Sequence, residues 1–203
     1  FLDNSQTKGQ MSFENAFSEV KRLVEKFEKG QTHYLGQSYK EQEARQDFID
    51  NFFIALGWDV RHEEQHDPYQ QEVKVERTEK NQKRTDYAFF LNPNYKDPKF
   101  FAEAKKPSQN LRNADYYFQT IRYGWNANTP VAALTDFEEF VILDCRYRPD
   151  ISTVLSGQHK YFHYQQYKNE EVFKEIYYLF SREAVSGGSL ERYSDGLPKP
   201  RGK

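Results

Sequence analysis

Glu103 and Lys105 stand two residues apart in the run Phe100-Phe101-Ala102-Glu103-Ala104-Lys105. The run is apolar enough to predict a central β-strand, and a period of two puts both charges on one face. A carboxylate and an ammonium withdrawn into a sheet cost free energy unless they are paired or bound. The preceding extended run, Arg84-Thr85-Asp86-Tyr87-Ala88-Phe89, supplies a second carboxylate, Asp86. A hairpin between the two runs lays Asp86 near Glu103. Two neighbouring carboxylates repel each other, and a divalent cation between them removes the repulsion. Oxygen-only ligation by two carboxylates and water suits Mg2+ or Mn2+. A lysine beside such a cation orients or deprotonates an attacking water, or stabilises the charge that develops on a phosphate. These are the parts of metal-dependent phosphodiester hydrolysis. The plainer alternative is a Glu103–Lys105 pair on a solvated strand face.

Cations cluster in sequence around these residues. Lys80, Lys83 and Arg84 precede Asp86, and Lys105, Lys106, Arg112 and Arg122 follow it. Side chains of this kind track phosphates in a salt-dependent way. Two other motifs lack their context. His62-Glu63-Glu64-Gln65-His66 matches the H-E-x-x-H zinc pattern, which needs a helix with both histidines on one face. Here it follows the extended Trp58-Asp59-Val60 and runs into Asp67-Pro68, so a solvated loop is expected. Asn92-Pro93-Asn94-Tyr95 resembles the Asn-Pro-Pro-Tyr of adenine methyltransferases, but the second proline and a glycine-rich cofactor loop are missing. A hairpin turn is the expectation. Cys145 and Met11 carry no signal of their own.

The elements that must position the charges follow from periodicity. Phe13, Phe17, Val20, Val24 and Phe27 form one helical stripe, with Ser12 to cap it and Gly30 to end it. Residues 39–56 predict a second helix with Ala44, Phe48, Ile49, Phe52, Phe53 and Leu56 on one face, stopped by Gly57. Val73–Val75 predicts a half-buried strand. Thr85–Leu91 and Lys99–Lys105 predict a hairpin around the turn at residues 92–98. A helix over Leu111–Trp125, strands over Val131–Thr135 and Phe140–Asp144, and a last helix over Val172–Phe180 complete a mixed α/β fold. Residues 1–10 are expected to be a polar leader, or a remnant, outside the fold. The segment 187–203, with its glycines and prolines, is expected to be a linker toward a further region.

Composition narrows the classes. The chain has 203 residues, 29 Lys plus Arg against 31 Asp plus Glu, and a net charge of −2. With 37% hydrophobic and 17% aromatic residues it is not a disordered chain. No stretch approaches the ~18 apolar residues of a membrane helix. A single cysteine excludes an internal disulfide framework and a multi-cysteine zinc site, and it fits a reducing compartment. A near-neutral total charge means that any polyanion must be held by a local basic surface.

Asp86 followed by Glu103-Ala104-Lys105 resembles the PD-(D/E)xK nuclease signature, with Thr85 where the motif's name has proline. More specifically, residues 35–190 resemble the N-terminal nuclease domain of type I and type IIG restriction-modification proteins. The blocks that carry the resemblance are Tyr39-Lys40-Glu41-Gln42-Glu43-Ala44-Arg45 with Phe48-Ile49-Asp50, Leu56-Gly57-Trp58-Asp59-Val60, and Asp86-Tyr87-Ala88-Phe89. To these are added Phe101-Ala102-Glu103-Ala104-Lys105-Lys106-Pro107, Thr135-Asp136-Phe137-Glu138 and Ser181-Arg182-Glu183-Ala184.

The resemblance implies a restriction-endonuclease-like core with a mixed central sheet flanked by helices, spanning residues 11–186 (11–34 an N-terminal helix, 35–186 the core). It implies a Mg2+- or Mn2+-dependent DNA endonuclease with Asp86, Glu103 and the Ala104 carbonyl on the metal and Lys105 acting on water and phosphate. Glu41, or alternatively Glu43, supports the metal from the helix before the first strand. On spacing alone Glu41 and Arg45 are also an i,i+4 ion pair. Gln119 and Tyr123 match the family's Gln-x-x-x-Tyr and support the site from the following helix. The plain alternative for those two is one polar edge of an amphipathic helix. Lys83, Arg84, Lys106, Arg112 and Arg122 are the candidate DNA contacts. The implied partners are double-stranded DNA, methyltransferase and target-recognition regions of a parent chain, and a transient dimer for double-strand cleavage. S-adenosylmethionine would belong to the methyltransferase region only. The implied setting is a prokaryotic cytoplasm. The second expectation, of another class, is a catalytically inactive DNA-binding or docking module of the same fold.

Overall fold

The computed structural model describes residues 11–75 and 85–199. The expected leader, residues 1–10, and the candidate contacts Lys80, Lys83 and Arg84 lie outside the described residues. Helix α1 is Phe13–Lys29, and Ser12 caps it by accepting from the Asn15 N–H at 3.2 Å. Its stripe of Ala16, Val20, Val24 and Phe27 is fully buried. After a single turn, Gln31–Tyr34, the second expected helix, α2, spans residues 41–55. It is not one uniform α-helix. Glu41–Ala44 and Asp50–Ala55 are α-helical, and Arg45–Ile49 between them forms a π-helical turn. Such turns are rare and occur often at functional positions. Gly57, at φ +89°, ends the helix in a conformation that side chains disfavour. Trp58 is buried, and its indole N–H donates to the Phe180 carbonyl at 2.8 Å.

Among the described residues, six strands form one sheet in chain order: β1 Val73–Val75, β2 Tyr87–Phe89, β3 Phe100–Ala104, β4 Val131–Thr135, β5 Glu139–Asp144 and β6 Lys160–His163. The expected hairpin is present, with Tyr87 opposite Ala102 and Phe89 opposite Phe100. β2 is shorter than the expected 85–91, and Asp86 lies just before it. Among the described residues, β3 and β4 are the one parallel pair within the sheet. A parallel pair needs a crossover, and helix α3, Ala114–Asn126, provides it with Asn113 as its cap. Helices then cover both faces. Val131 and Ala133 of β4 belong to the larger core under α1, α2 and α4 (Glu170–Phe180). Ala132 and Leu134 belong to a smaller core under α3. A strand buried on both faces reads as a continuous apolar run, as β4 does.

The stretch expected to be a linker from residue 187 is structured over most of its described part. After α5, Arg182–Ser186, helix α6 spans Ser189–Gly196 with Leu190 fully buried. Gly188, at φ +81°, makes the turn between them. Arg146 fixes the end of α6 by donating to the carbonyls of Ser194, Leu197 and Pro198. Among the described residues, no helix is long and apolar enough to cross a membrane.

α3 sits close to the sheet because position 124 is glycine. A Cβ there would lie 2.5 Å from Cys145 Sγ and 2.9 Å from Thr129 Oγ1. Gly124→Ala is therefore expected to destabilise the fold by about 1–3 kcal/mol through overpacking. A urea titration checks this, and an unchanged midpoint refutes the close approach.

Candidate active site

The hairpin register sets the centre of the site. With Tyr87 opposite Ala102, Asp86 falls across from Glu103 at the C-terminal end of β3. Asp86 Oδ2 accepts from the Ala104 backbone N–H at 2.8 Å. Asp86 Oδ1 accepts from Arg45 Nη1 at 2.9 Å, in an ion pair only about one-sixth exposed on either side. The Arg45 guanidinium lies 4.9 Å over the Tyr87 ring, and Tyr87 Oη donates to Asp50 Oδ1 at 2.5 Å.

Lys105 follows β3 directly, and the period of two holds. Its Nζ donates to Glu103 Oε1 and to the Ala104 carbonyl, both at 2.9 Å. It also lies 3.9 Å from Glu41 Oε2. Burial works against the Lys105 ammonium, but Glu103, Glu41 and Asp86 outweigh it and keep the amine charged. Glu103 is 6% exposed. Burial first, then the charge of Asp86, pushes its carboxyl up to about 7, against the pull of Lys105. Burial likewise raises Glu41, partly offset by Lys105. Among the described residues, Glu103 Oε2 is buried and has no hydrogen-bond partner. The solvated-face alternative for Glu103 and Lys105 is thereby excluded, because one is buried and the other nearly so.

The two candidate helix glutamates point different ways. Glu43 turns back and accepts the Lys40 backbone N–H at 2.9 Å, which caps α2. Glu41 is the one that faces Lys105. Arg45, its i,i+4 neighbour, reaches across to Asp86.

The remaining candidates lie farther out. Gln119 Nε2 is 3.5 Å from Tyr123 Oη, and the Tyr123 ring packs 6.5 Å from Phe101, two residues before Glu103. Tyr123 thus packs from α3 against β3, and Gln119 lies one turn before it on the same helix. It is Tyr116, one turn earlier, whose ring stands over Lys105 Nζ at 5.2 Å. Lys106 donates to the Gln37 carbonyl at 3.3 Å, just ahead of α2. Arg112 and Arg122 are exposed, and Arg122 packs over Phe118 and Tyr123. The H-E-x-x-H match is a loop, as expected. His62 has φ +55° and its Nε2 is 2.7 Å from the Val73 carbonyl, while Asp59 accepts the N–H groups of Glu63, Glu64 and Gln65.

Among the described residues, no three His, Cys, Asp or Glu side chains converge into a ready-made metal cage. Two carboxylates and a backbone carbonyl do meet beside a lysine, and the unpartnered Glu103 Oε2 is the atom that a cation or its water would satisfy. That donor set fits a hard, oxygen-seeking divalent cation.

Fold and site together define an α/β protein with a carboxylate–lysine cluster at the end of a central strand. The chain is 32% identical over 184 residues to the type II restriction enzyme and methyltransferase RM.Eco57I of Escherichia coli. That alignment covers 87% of this chain and 18% of the relative, so the chain spans under a fifth of that protein's length. The chain is thus related to a restriction-modification protein. No protein-family model matches it. No solved structure matches it either.

Proposed function

We propose that this chain is the cleavage part of a restriction-modification protein: a Mg2+- or Mn2+-dependent endonuclease of the PD-(D/E)xK type, hydrolysing phosphodiester bonds of double-stranded DNA. The observation that carries the reading is the junction of Asp86, Glu103 and Lys105, with one Glu103 oxygen buried and unpartnered. The relative's name, a restriction enzyme joined to a methyltransferase, supports it. Asp86, Glu103 and the Ala104 carbonyl would hold the cation, with Glu41 beside them. When bound, the cation supplies a more acidic water and neutralises phosphate charge. Lys105, surrounded by three acceptors, serves as an ammonium that donates to a phosphoryl oxygen as negative charge builds there. Gln119 and Tyr123 support this side of the site from α3. Lys106, Arg112 and Arg122 steer the DNA backbone. Methylation with S-adenosylmethionine and target recognition belong to other regions of a parent chain. A transient dimer accounts for double-strand breaks if each domain makes one cut.

One observation favours the second reading, an inert DNA-binding module: Asp86 is already neutralised by Arg45. Supercoiled plasmid separates the two. The nuclease reading expects open-circle product with Mg2+ or Mn2+ and none with a chelator. DNA binding without any nicking, in the presence of the intact parent protein's other regions as well, refutes it.

A further inference from the structure

We infer that Arg45 is a positioning residue that holds Asp86 and sets how tightly the carboxylate cluster takes a divalent cation. The inference rests on the cation reading proposed above. Both oxygens of Asp86 are occupied, one by the guanidinium at 2.9 Å and the other by the Ala104 N–H at 2.8 Å. The guanidinium is not a loose surface partner. It stacks on Tyr87, its Nε lies 3.4 Å from Tyr87 Oη, and that hydroxyl is tied to Asp50. It also leaves the helix at the first residue of the π-helical turn, where the register of α2 changes.

Among the described residues the cluster holds three carboxylates, Glu41, Asp86 and Glu103, against two cations, Lys105 and Arg45. Lys105 satisfies Glu103 Oε1, and Glu103 Oε2 is left without a donor among the described residues. A cation taken up at Glu103 must share Asp86 with the guanidinium. Arg45 therefore fixes the orientation of the ligand and at the same time opposes the incoming charge. The result is a cluster that stays folded and nearly neutral until the cation concentration is high enough.

The test is Mn2+ binding to the protein without DNA, read by titration calorimetry. Arg45→Gln removes the charge and keeps an N–H donor for Asp86. It is expected to bind Mn2+ roughly tenfold more tightly, a modest share of the repulsion between a guanidinium and a dication at this range. Arg45→Met, a second neutral variant, is expected to shift the same way. Arg45→Lys keeps the charge and is expected to stay near wild type, which a purely structural role would not produce. Asp86→Asn is the control. If Asp86→Asn abolishes binding but neither neutral variant tightens it, the inference about Arg45 is wrong and the cation reading stands. If Asp86→Asn leaves Mn2+ binding unchanged, the cation reading falls and takes this inference with it.

Discussion

Lys105→Ala is expected to lower metal-dependent plasmid nicking by ~10²–10³-fold, the usual cost of losing one donor aimed at developing charge. The side chain is only 14% exposed, and its ammonium is the sole group that reaches Glu103, the Ala104 carbonyl and Glu41 together among the described residues. Its loss removes the donor that the phosphate would meet. It also leaves Glu41, Asp86 and Glu103 as a cluster of like charges with Arg45 as the remaining cation among the described residues. The fold has little at stake in the ammonium itself, since Lys105 lies past the end of β3 and its Nζ stands 5.2 Å over the Tyr116 ring. Thermal unfolding of the variant is the companion measurement. Nicking at the wild-type rate by a folded Lys105→Ala protein would overturn the site assignment.

Glu72→Gln is the second large effect, and it falls on stability. Glu72 is 2% exposed just before β1. Arg182 binds it through two nitrogens, Nε to Oε2 at 2.6 Å and Nη2 to Oε1 at 2.8 Å. The Asn92 N–H donates to Oε1 at 3.0 Å as well. One carboxylate thus ties the sheet edge to the turn of the hairpin and to the junction of α4 and α5. Replacing it is expected to cost about 2 kcal/mol at neutral pH, toward the lower end for charged hydrogen bonds because Arg182 stays partly hydrated.

Burial alone would raise the Glu72 carboxyl, but Arg182 and Asn92 outweigh it and hold it below the ordinary carboxylate range. The unfolded chain therefore binds the proton at a higher pH than the folded one. The stabilisation is complete above the unfolded value, ~4.3 for a glutamate. It fades as pH falls through the lower folded value. Urea midpoints of wild type and Glu72→Gln, compared from neutral pH downward, should converge in acid. A constant gap would show that the carboxylate charge is not what stabilises the junction.

The sequence makes some of these features legible and hides others for physical reasons. The hairpin is legible because charge alternates with apolar residues along β3 and the turn at residues 92–98 is rich in turn formers. The register then follows, and with it the meeting of Asp86, Glu103 and Lys105. β6 escapes notice because only Phe162 of Lys160–His163 is buried, so no alternation stands out. α6 is masked by Gly187-Gly188 and Gly196, although Leu190 and Tyr193 keep a helical spacing against the core. The π-helical turn leaves no mark in periodicity over so few residues. Arg45 and Tyr116 are site neighbours only through tertiary placement. The i,i+4 spacing offers Arg45 a local partner in Glu41, and only the packing of α2 against β2 shows its pair with Asp86.

The two tryptophans divide the molecule optically. Trp58, sealed in the core and bonded to the Phe180 carbonyl, should emit at short wavelength and resist iodide. Trp125, 38% exposed at the end of α3, should emit to the red and be quenched. A Trp125→Phe protein then reports unfolding alone. The reciprocal Trp58→Phe protein places a single fluorophore three residues beyond Arg122, where the approach of a duplex can be followed without any label and without waiting for a bond to break.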